Sequence, residues 1–220
     1  EIPLLAKKLL IRDRARLAAR IAALDRASPE ELAELHRRMT ALATHARVKE
    51  AEGLNVRLSE DLPISKRAEE IAKSVRENPV TIVCGATGSG KTTQLPKIAL
   101  SLGFGRYGRI GCTQPRRLAA SSLARRLAAE TGCEYGSEVG CKVRFDDRTS
   151  ERTVVKFMTD GILLAETRFD PRLLEYDCLI LDEVHERTLN IDFLLGCVKR
   201  ILEKRRNLRV IVSSATLDSD

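Results

Sequence analysis

The stretch Val80-Thr81-Ile82-Val83-Cys84, followed at once by Gly85-Ala86-Thr87-Gly88-Ser89-Gly90-Lys91-Thr92, decides how the chain is read. Its first five residues are apolar or β-branched and read as a short strand. The next eight fit the pattern G-x-x-x-x-G-K-[ST], whose chance occurrence in a chain of this size is on the order of one per cent before a preceding strand is required. Glycines let backbone N–H groups turn inward around a phosphate. A helix starting near Lys91 aims its positive end at the same group. Lys91 is therefore expected to reach the β- and γ-phosphates of a nucleoside triphosphate and Thr92 to ligate Mg2+, with Gly85 through Gly90 and Thr93 completing the cradle. The alternative is a glycine loop that merely turns.

Working outward, the chain from about residue 64 alternates short β-prone runs with amphipathic stretches. Val80 to Cys84, Arg109 to Cys112, Val154 to Met158, Cys178 to Leu181 and Leu208 to Val212 are the expected strands. Such alternation predicts an α/β domain with a mostly parallel sheet. Ligands bind at the carboxyl edge of such sheets, and the apolar run Cys178 to Leu181 delivers Asp182 and Glu183 there. An Asp-Glu pair alone is commonplace and usually a solvated turn. Behind a hydrophobic strand and a phosphate loop, Asp182 is expected to hold Mg2+ and Glu183, also near the metal, to polarise the attacking water as general base.

Asp182-Glu183-Val184-His185-Glu186-Arg187 resembles the DEAH box of superfamily 2 helicases, and Lys91-Thr92-Thr93-Gln94-Leu95-Pro96 continues the loop as that family does. Thr113-Gln114-Pro115-Arg116-Arg117 resembles motif Ia, Met158-Thr159-Asp160-Gly161 motif Ib and Ser214-Ala215-Thr216 motif III; the likeness is strongest to the HrpA-type bacterial members. It covers about residue 60 to the end. The resemblance implies a RecA-like P-loop NTPase domain over residues 61–220 and an ATP-dependent RNA helicase activity, with ATP (other NTPs left open) and Mg2+ as cofactors. Arg116, Arg117, Arg144, Thr159, Asp160 and Gly161 are implied to hold single-stranded RNA, single-stranded DNA staying open as the alternative strand. Intraprotein ion pairs are the competing role for Arg116 and Arg117. Arg126 is implied to stack on the nucleotide base, a contact that needs no base-specific hydrogen bond; its alternative is plain surface charge. His185 is implied to contact Ser214 or Thr216, coupling γ-phosphate status to the RNA face. Val184 stands where the family usually has Ala, and Ala86 where it has Glu; neither position supplies a catalytic group. The family's second RecA-like domain, with its arginine fingers, is missing from the sequence. Such a finger supplies about 10³- to 10⁵-fold in rate, so weak turnover is expected of this segment.

Residues 1–60 read as a helical extension. Leu10, Leu17, Ile21 and Leu24 recur at helical spacing, and Ser28-Pro29-Glu30-Glu31 is a capping box opening a second helix expected from Pro29 to Glu50, with Gly53-Leu54-Asn55 ending it. This arginine-rich hairpin reads either as a solvated face packed on the main domain, the favoured option, or as an arm for RNA or a partner. His36 and His45 on it are expected at the surface.

The 220 residues are 43% hydrophobic and 31% charged, and no run approaches the roughly 18 apolar residues of a membrane span. The first residues lack the order of a signal peptide. Six dispersed cysteines without ligand spacing, of which Cys84, Cys112, Cys178 and Cys197 are expected as reduced core residues, suit the cytosol. Lys and Arg outnumber Asp and Glu 38 to 31, which favours a polyanionic partner. With 4% aromatics and no Trp, a base-stacking sheet is not expected, so nucleic acid would be gripped by its backbone. A monomer is favoured. A P-loop ATPase clamp that binds nucleic acid or a partner without unwinding is the runner-up; a kinase or transporter ATPase leaves the later motifs unexplained.

Overall fold

The computed structural model describes residues 2–43 and 47–215. Seven strands form one sheet: β1 Val80–Cys84, β2 Arg109–Gln114, β3 Val139–Val143, β4 Asp146–Arg148, β5 Val155–Thr159, β6 Tyr176–Leu181 and β7 Arg209–Ser214. Their order is β1-β7-β6-β2-β5-β3-β4, and every neighbouring pair is parallel except the β3–β4 hairpin. Helices cross between the parallel strands: α6 Lys91–Ser101, α7 Arg117–Thr131, α8 Asp160–Glu166 and α9 Leu189–Lys204, with α5 Ala68–Glu77 before β1.

The central strands are covered on both faces, which is why β6 is an apolar run buried from end to end, whereas the edge strand β1 leaves Val80 and Ile82 exposed on one side. Alternation along β6 sends Cys178 and Ile180 to a core shared with Leu95, Ile98, Ala124 and Leu127 of α6 and α7. It sends Leu179 and Leu181 to the opposite core with Leu163, Ile191, Leu194 and Val198 of α8 and α9. The register aligns Cys84 with Ser214, Gln114 with Thr159 and Thr113 with Leu181. The segments that leave β1, β2, β5, β6 and β7 therefore emerge along a single carboxyl edge.

The expected strands are all present, most a residue or two displaced, but β3 and β4 carry no sequence signal. β4 is the three polar residues Asp-Asp-Arg. β3 contains Gly140, where a Cβ would lie 2.4 Å from the Arg148 carbonyl oxygen. Cross-strand packing rather than propensity makes this hairpin.

Ahead of the sheet lie α1 Ile2–Ala6, α2 Ile11–Ala22, α3 Pro29–Ala43 and α4 Val48–Glu52. Leu17 of α2 and Leu35 and Met39 of α3 bury against Ala6 and Leu9. The capping box at α3 is formed: Ser28 N–H donates to Glu31 Oε2 at 2.8 Å and Glu31 N–H to Ser28 Oγ at 3.2 Å. The single helix expected from Pro29 to Glu50 is instead α3 and α4. Between them, the Arg47 N–H donates to the Arg106 carbonyl at 2.9 Å and its Nε to the Glu151 carbonyl at 2.7 Å, so its N–H leaves the helical ladder while its carbonyl, accepting from Ala51 N–H at 2.9 Å, opens α4. His36 is half-buried rather than exposed, because it sits four residues after Leu32 and three before Met39 on the apolar side of α3; His45 lies outside the described residues.

Residues 55–64 strap across α6. Asn55 N–H donates to the Thr131 carbonyl at 3.0 Å, Ser59 N–H to Gln94 Oε1 at 3.1 Å and Ile64 N–H to the Ser89 carbonyl at 3.3 Å. The described cysteines are all free. Cys112 and Cys178 are core residues as expected, but Cys84 and Cys197 are only half-buried, Cys84 because it ends the edge strand β1 at an open loop. Among the described residues no helix is long and apolar enough to cross a membrane.

Candidate active site

The loop after β1 turns on Gly88 and Gly90, whose φ angles of +81° and +92° are open to glycine and strained for other residues. Gly90 caps α6, and a Cβ there would also strike Leu62 Cδ1 at 2.7 Å. Lys91 is buried and donates its ammonium to the Gly85 and Ala86 carbonyls at 2.5 and 3.0 Å, so its charge lies inside the loop formed by Gly85, Ala86, Thr87, Gly88, Ser89 and Gly90. Thr93 faces inward, its hydroxyl donating to the Gly90 carbonyl at 3.4 Å and accepting from Gln94 Nε2 at 3.0 Å.

Thr92 and Asp182, ninety residues apart in sequence, meet here: the threonine hydroxyl donates to Asp182 Oδ2 at 2.5 Å. Gln114 Nε2 donates to the same oxygen at 2.7 Å, and the Glu183 N–H donates to Asp182 Oδ1 at 3.0 Å. A hydroxyl and a carboxylate are hard oxygen donors of the kind Mg2+ takes, so the pair fits that ion. Among the described residues no group of three or more His, Cys, Asp or Glu gathers around a metal position. An ion here would draw its other ligands from phosphate oxygens and water, as Mg2+ commonly does.

Glu183 adopts left-handed backbone angles, φ 55° and ψ 36°, at the exit of β6. A non-glycine residue in that region costs about 1–3 kcal/mol and persists only where its surroundings impose it. Burial, together with the neighbouring Asp182 charge, raises its carboxyl above the ordinary carboxylate range. His185 Nε2 lies 3.3 Å from Glu183 Oε2, and the Ala215 N–H donates to His185 Nδ1 at 3.2 Å. Nδ1 as acceptor leaves Nε2 as the N–H that faces Glu183. The histidine thus reaches the segment after β7 at Ala215, between Ser214 and Thr216, through the Ala215 backbone N–H. Ser214 also touches the phosphate loop, its carbonyl accepting from Gly85 N–H at 3.2 Å; Thr216 lies outside the described residues.

Further along the same edge, Arg117, Arg144, Thr159, Asp160 and Gly161 line a groove of about 400 Å³ together with Thr188 and Asn190. Thr159 stands at the N-cap position of α8 without a side-chain capping bond, and Asp160 behind it is buried, which pushes its carboxyl up. Phe145, with φ 70°, makes the turn between β3 and β4, and Arg144 lies over its ring at 4.9 Å. Arg116 does not line this groove; its guanidinium pairs with Glu186 at 3.5 Å. Arg126, on α7, donates Nε to Glu130 Oε1 at 2.9 Å.

Gln114, inside Thr113-Gln114-Pro115-Arg116-Arg117, is a site residue that the sequence pattern does not single out. Its signal was a polar side chain ending an otherwise buried parallel strand. Thr188 and Asn190 carry no separate signal because they stand at the start of α9.

A parallel sheet whose first loop encloses a lysine ammonium, with a threonine hydroxyl and a strand-end aspartate meeting beside it, defines a P-loop nucleotide-binding domain. The family profile of the DEAD/DEAH box helicases matches residues 65–220. The chain belongs to that family. It is 45% identical over 217 residues to the ATP-dependent RNA helicase HrpA of Escherichia coli, covering 96% of this chain and 17% of that protein. It is 46% identical over 217 residues to the HrpA homolog of Haemophilus influenzae, with 96% and 17% covered. Against the HrpA helicase of Borreliella burgdorferi it is 51% identical over 158 residues, 72% of this chain and 19% of that one. The chain therefore spans less than a fifth of the length of these relatives.

Proposed function

We propose that this chain is the nucleotide-hydrolysing lobe of an ATP-dependent RNA helicase that moves on single-stranded RNA. Residues 61–220 form the RecA-like domain in this reading, and residues 1–60 its helical extension. The observation that carries it is the convergence of Lys91, Thr92, Asp182 and Glu183 on one sheet edge, with His185 joining Glu183 to the segment after β7. Lys91 neutralises the β- and γ-phosphates, and Thr92 and Asp182 hold Mg2+, which when bound offsets phosphate charge. Glu183 takes the proton of the attacking water. Arg126 offers its guanidinium plane to the base. Arg117, Arg144 and Thr159 grip the RNA backbone, so strand choice by base identity is weak. A second RecA-like lobe, expected elsewhere in the full natural chain, closes on the nucleotide and supplies the arginine finger. The setting is the cytosol and the unit a monomer.

The test is ATP hydrolysis by the full natural chain with no nucleic acid, with single-stranded RNA and with single-stranded DNA, beside duplex unwinding. RNA stimulation and unwinding that both vanish in Lys91→Ala support the motor. Unwinding that survives Lys91→Ala sinks it. A rate indifferent to either nucleic acid moves the non-unwinding clamp to the front.

A further inference from the structure

Arg126 is long and solvent-exposed, with 60% of its side chain accessible, so an unassisted guanidinium there would sample many rotamers. It is held through Glu130. That carboxylate accepts from Arg126 Nε on Oε1 at 2.9 Å and from Lys97 Nζ on Oε2 at 2.7 Å, with Gln94 Nε2 at 3.5 Å from the same Oε2. Lys97 is a rigid anchor. Its side chain is 3% exposed, and its ammonium also donates to the Arg57 carbonyl at 3.1 Å. Lys97 and Gln94 both sit on α6, the helix that begins with Lys91 and Thr92. Burial would raise the Glu130 carboxyl, but the bonds from Lys97 and Arg126 outweigh it and hold the group below its ordinary range. It stays an anion facing two cations. Only the Nε edge of Arg126 is used in this contact, leaving the Nη groups and both faces of the plane to a ligand.

We infer that Glu130 is a positioning residue for nucleotide recognition: its carboxylate sets the Arg126 guanidinium plane at a defined place relative to α6, and so relative to the phosphate loop. The inference rests on the reading above that Arg126 meets the nucleobase. An ordinary surface pair four residues apart on a helix is the competing explanation, and such pairs contribute little. The buried Lys97 on the other oxygen separates this carboxylate from that case, but it raises a second alternative, that Glu130 serves only to neutralise Lys97. The test must therefore separate base recognition from folding.

Affinities of Mg-ATP and of Mg-tripolyphosphate, which lacks a base, are measured for the full natural chain as wild type, Arg126→Ala, Glu130→Gln and the double variant. The expected result is that Glu130→Gln weakens ATP about three- to tenfold, from the cost of ordering a freed side chain. Tripolyphosphate then binds within about twofold of wild type, and the double variant is no worse than Arg126→Ala alone. If Arg126→Ala lowers the ATP-to-tripolyphosphate ratio and Glu130→Gln does not, the positioning role is overturned while the base contact stands. Equal weakening of both ligands by Glu130→Gln also overturns it, assigning Glu130 to the folding of α6. If Arg126→Ala leaves the ratio unchanged, the base reading itself fails and takes the inference with it. Should Glu130→Gln not fold, with Lys97 left facing a neutral amide, Lys97→Met combined with Glu130→Gln removes the buried ammonium together with its half-buried partner. That pair carries the same expectations.

Discussion

Glu183 combines three features in one residue: a left-handed backbone, a carboxyl raised by burial and by Asp182, and a histidine on its outer oxygen. As a general base it must be ionised, so hydrolysis should fall as pH drops through its raised pKa. The acid limb of kcat/KM for ATP is then expected above pH 4.5, the ordinary value for a glutamate. A limb at or below that value would remove Glu183 from the base role. Replacing the group by its amide keeps the shape and removes the basicity. Glu183→Gln should retain ATP binding while hydrolysis falls about 10²- to 10⁴-fold, measured by single-turnover kinetics beside a binding titration. The local sequence made Asp182 and Glu183 legible because a strand-end acidic pair behind an apolar run is a one-dimensional pattern. The bridge from Glu183 through His185 to the Ala215 N–H joins residues thirty apart and had no such pattern.

At the scale of elements, the site is a consequence of strand ends held in register. β2 ends at Gln114 beside Thr159 of β5, so the segments carrying Arg117 and Thr159 open onto one groove. Arg144 arrives from the β3–β4 turn. Arg117→Ala and Arg144→Ala are each expected to weaken single-stranded RNA binding in a sequence-independent way and to flatten the slope of log affinity against log salt by about 1. Arg116→Ala, with its partner Glu186 already present, should change that slope less. Filter binding from low to high salt decides it, and equal slopes for all three would show that the groove is not the path. The register itself depends on close packing across β2. A Cβ at Gly111 would stand 2.9 Å from Leu179 Cδ2 and from the Tyr176 ring. Gly111→Ala should therefore destabilise by about 1–3 kcal/mol, read as a lower urea midpoint at an unchanged slope.

For the molecule as a whole, the end of the sheet opposite the site is organised around buried charges. Asp177 accepts from the Gly105 and Gly108 N–H groups at 3.0 to 3.1 Å, and Arg205 donates to the Arg172, Leu173 and Tyr176 carbonyls. Burial lifts the Asp177 carboxyl from 3.8 to about 6, against the opposing pull of those two N–H groups and of Arg205. A folded-state pKa raised above the unfolded one means that the native state holds a proton the unfolded chain releases. Stability drawn from this group is therefore complete at low pH and declines between about pH 4 and pH 6. Relative to Asp177→Asn, the wild type should lose ~1–3 kcal/mol across that window in urea titrations. Parallel profiles for the two proteins would remove Asp177 as the source. The N-terminal helices join this end: Ile11 N–H donates to the Tyr107 carbonyl at 2.8 Å and Arg12 pairs with Glu175.

The sequence by itself determined the phosphate loop, the five strands that carry the site and the pair Asp182 and Glu183. Each of these follows from rules acting over a few residues: glycine freedom, apolar runs, and helix starts such as the capping box at Ser28. The tertiary structure alone decided the strand order, the β3–β4 hairpin, the break between α3 and α4 where the Arg47 N–H turns to Arg106, and the contacts of Gln114 with Asp182 and of Glu130 with Lys97. Those depend on which elements face each other. A carboxylate finds a lysine, or a polar strand its partner, only after the sheet and helices have brought residues from distant parts of the chain within hydrogen-bonding distance.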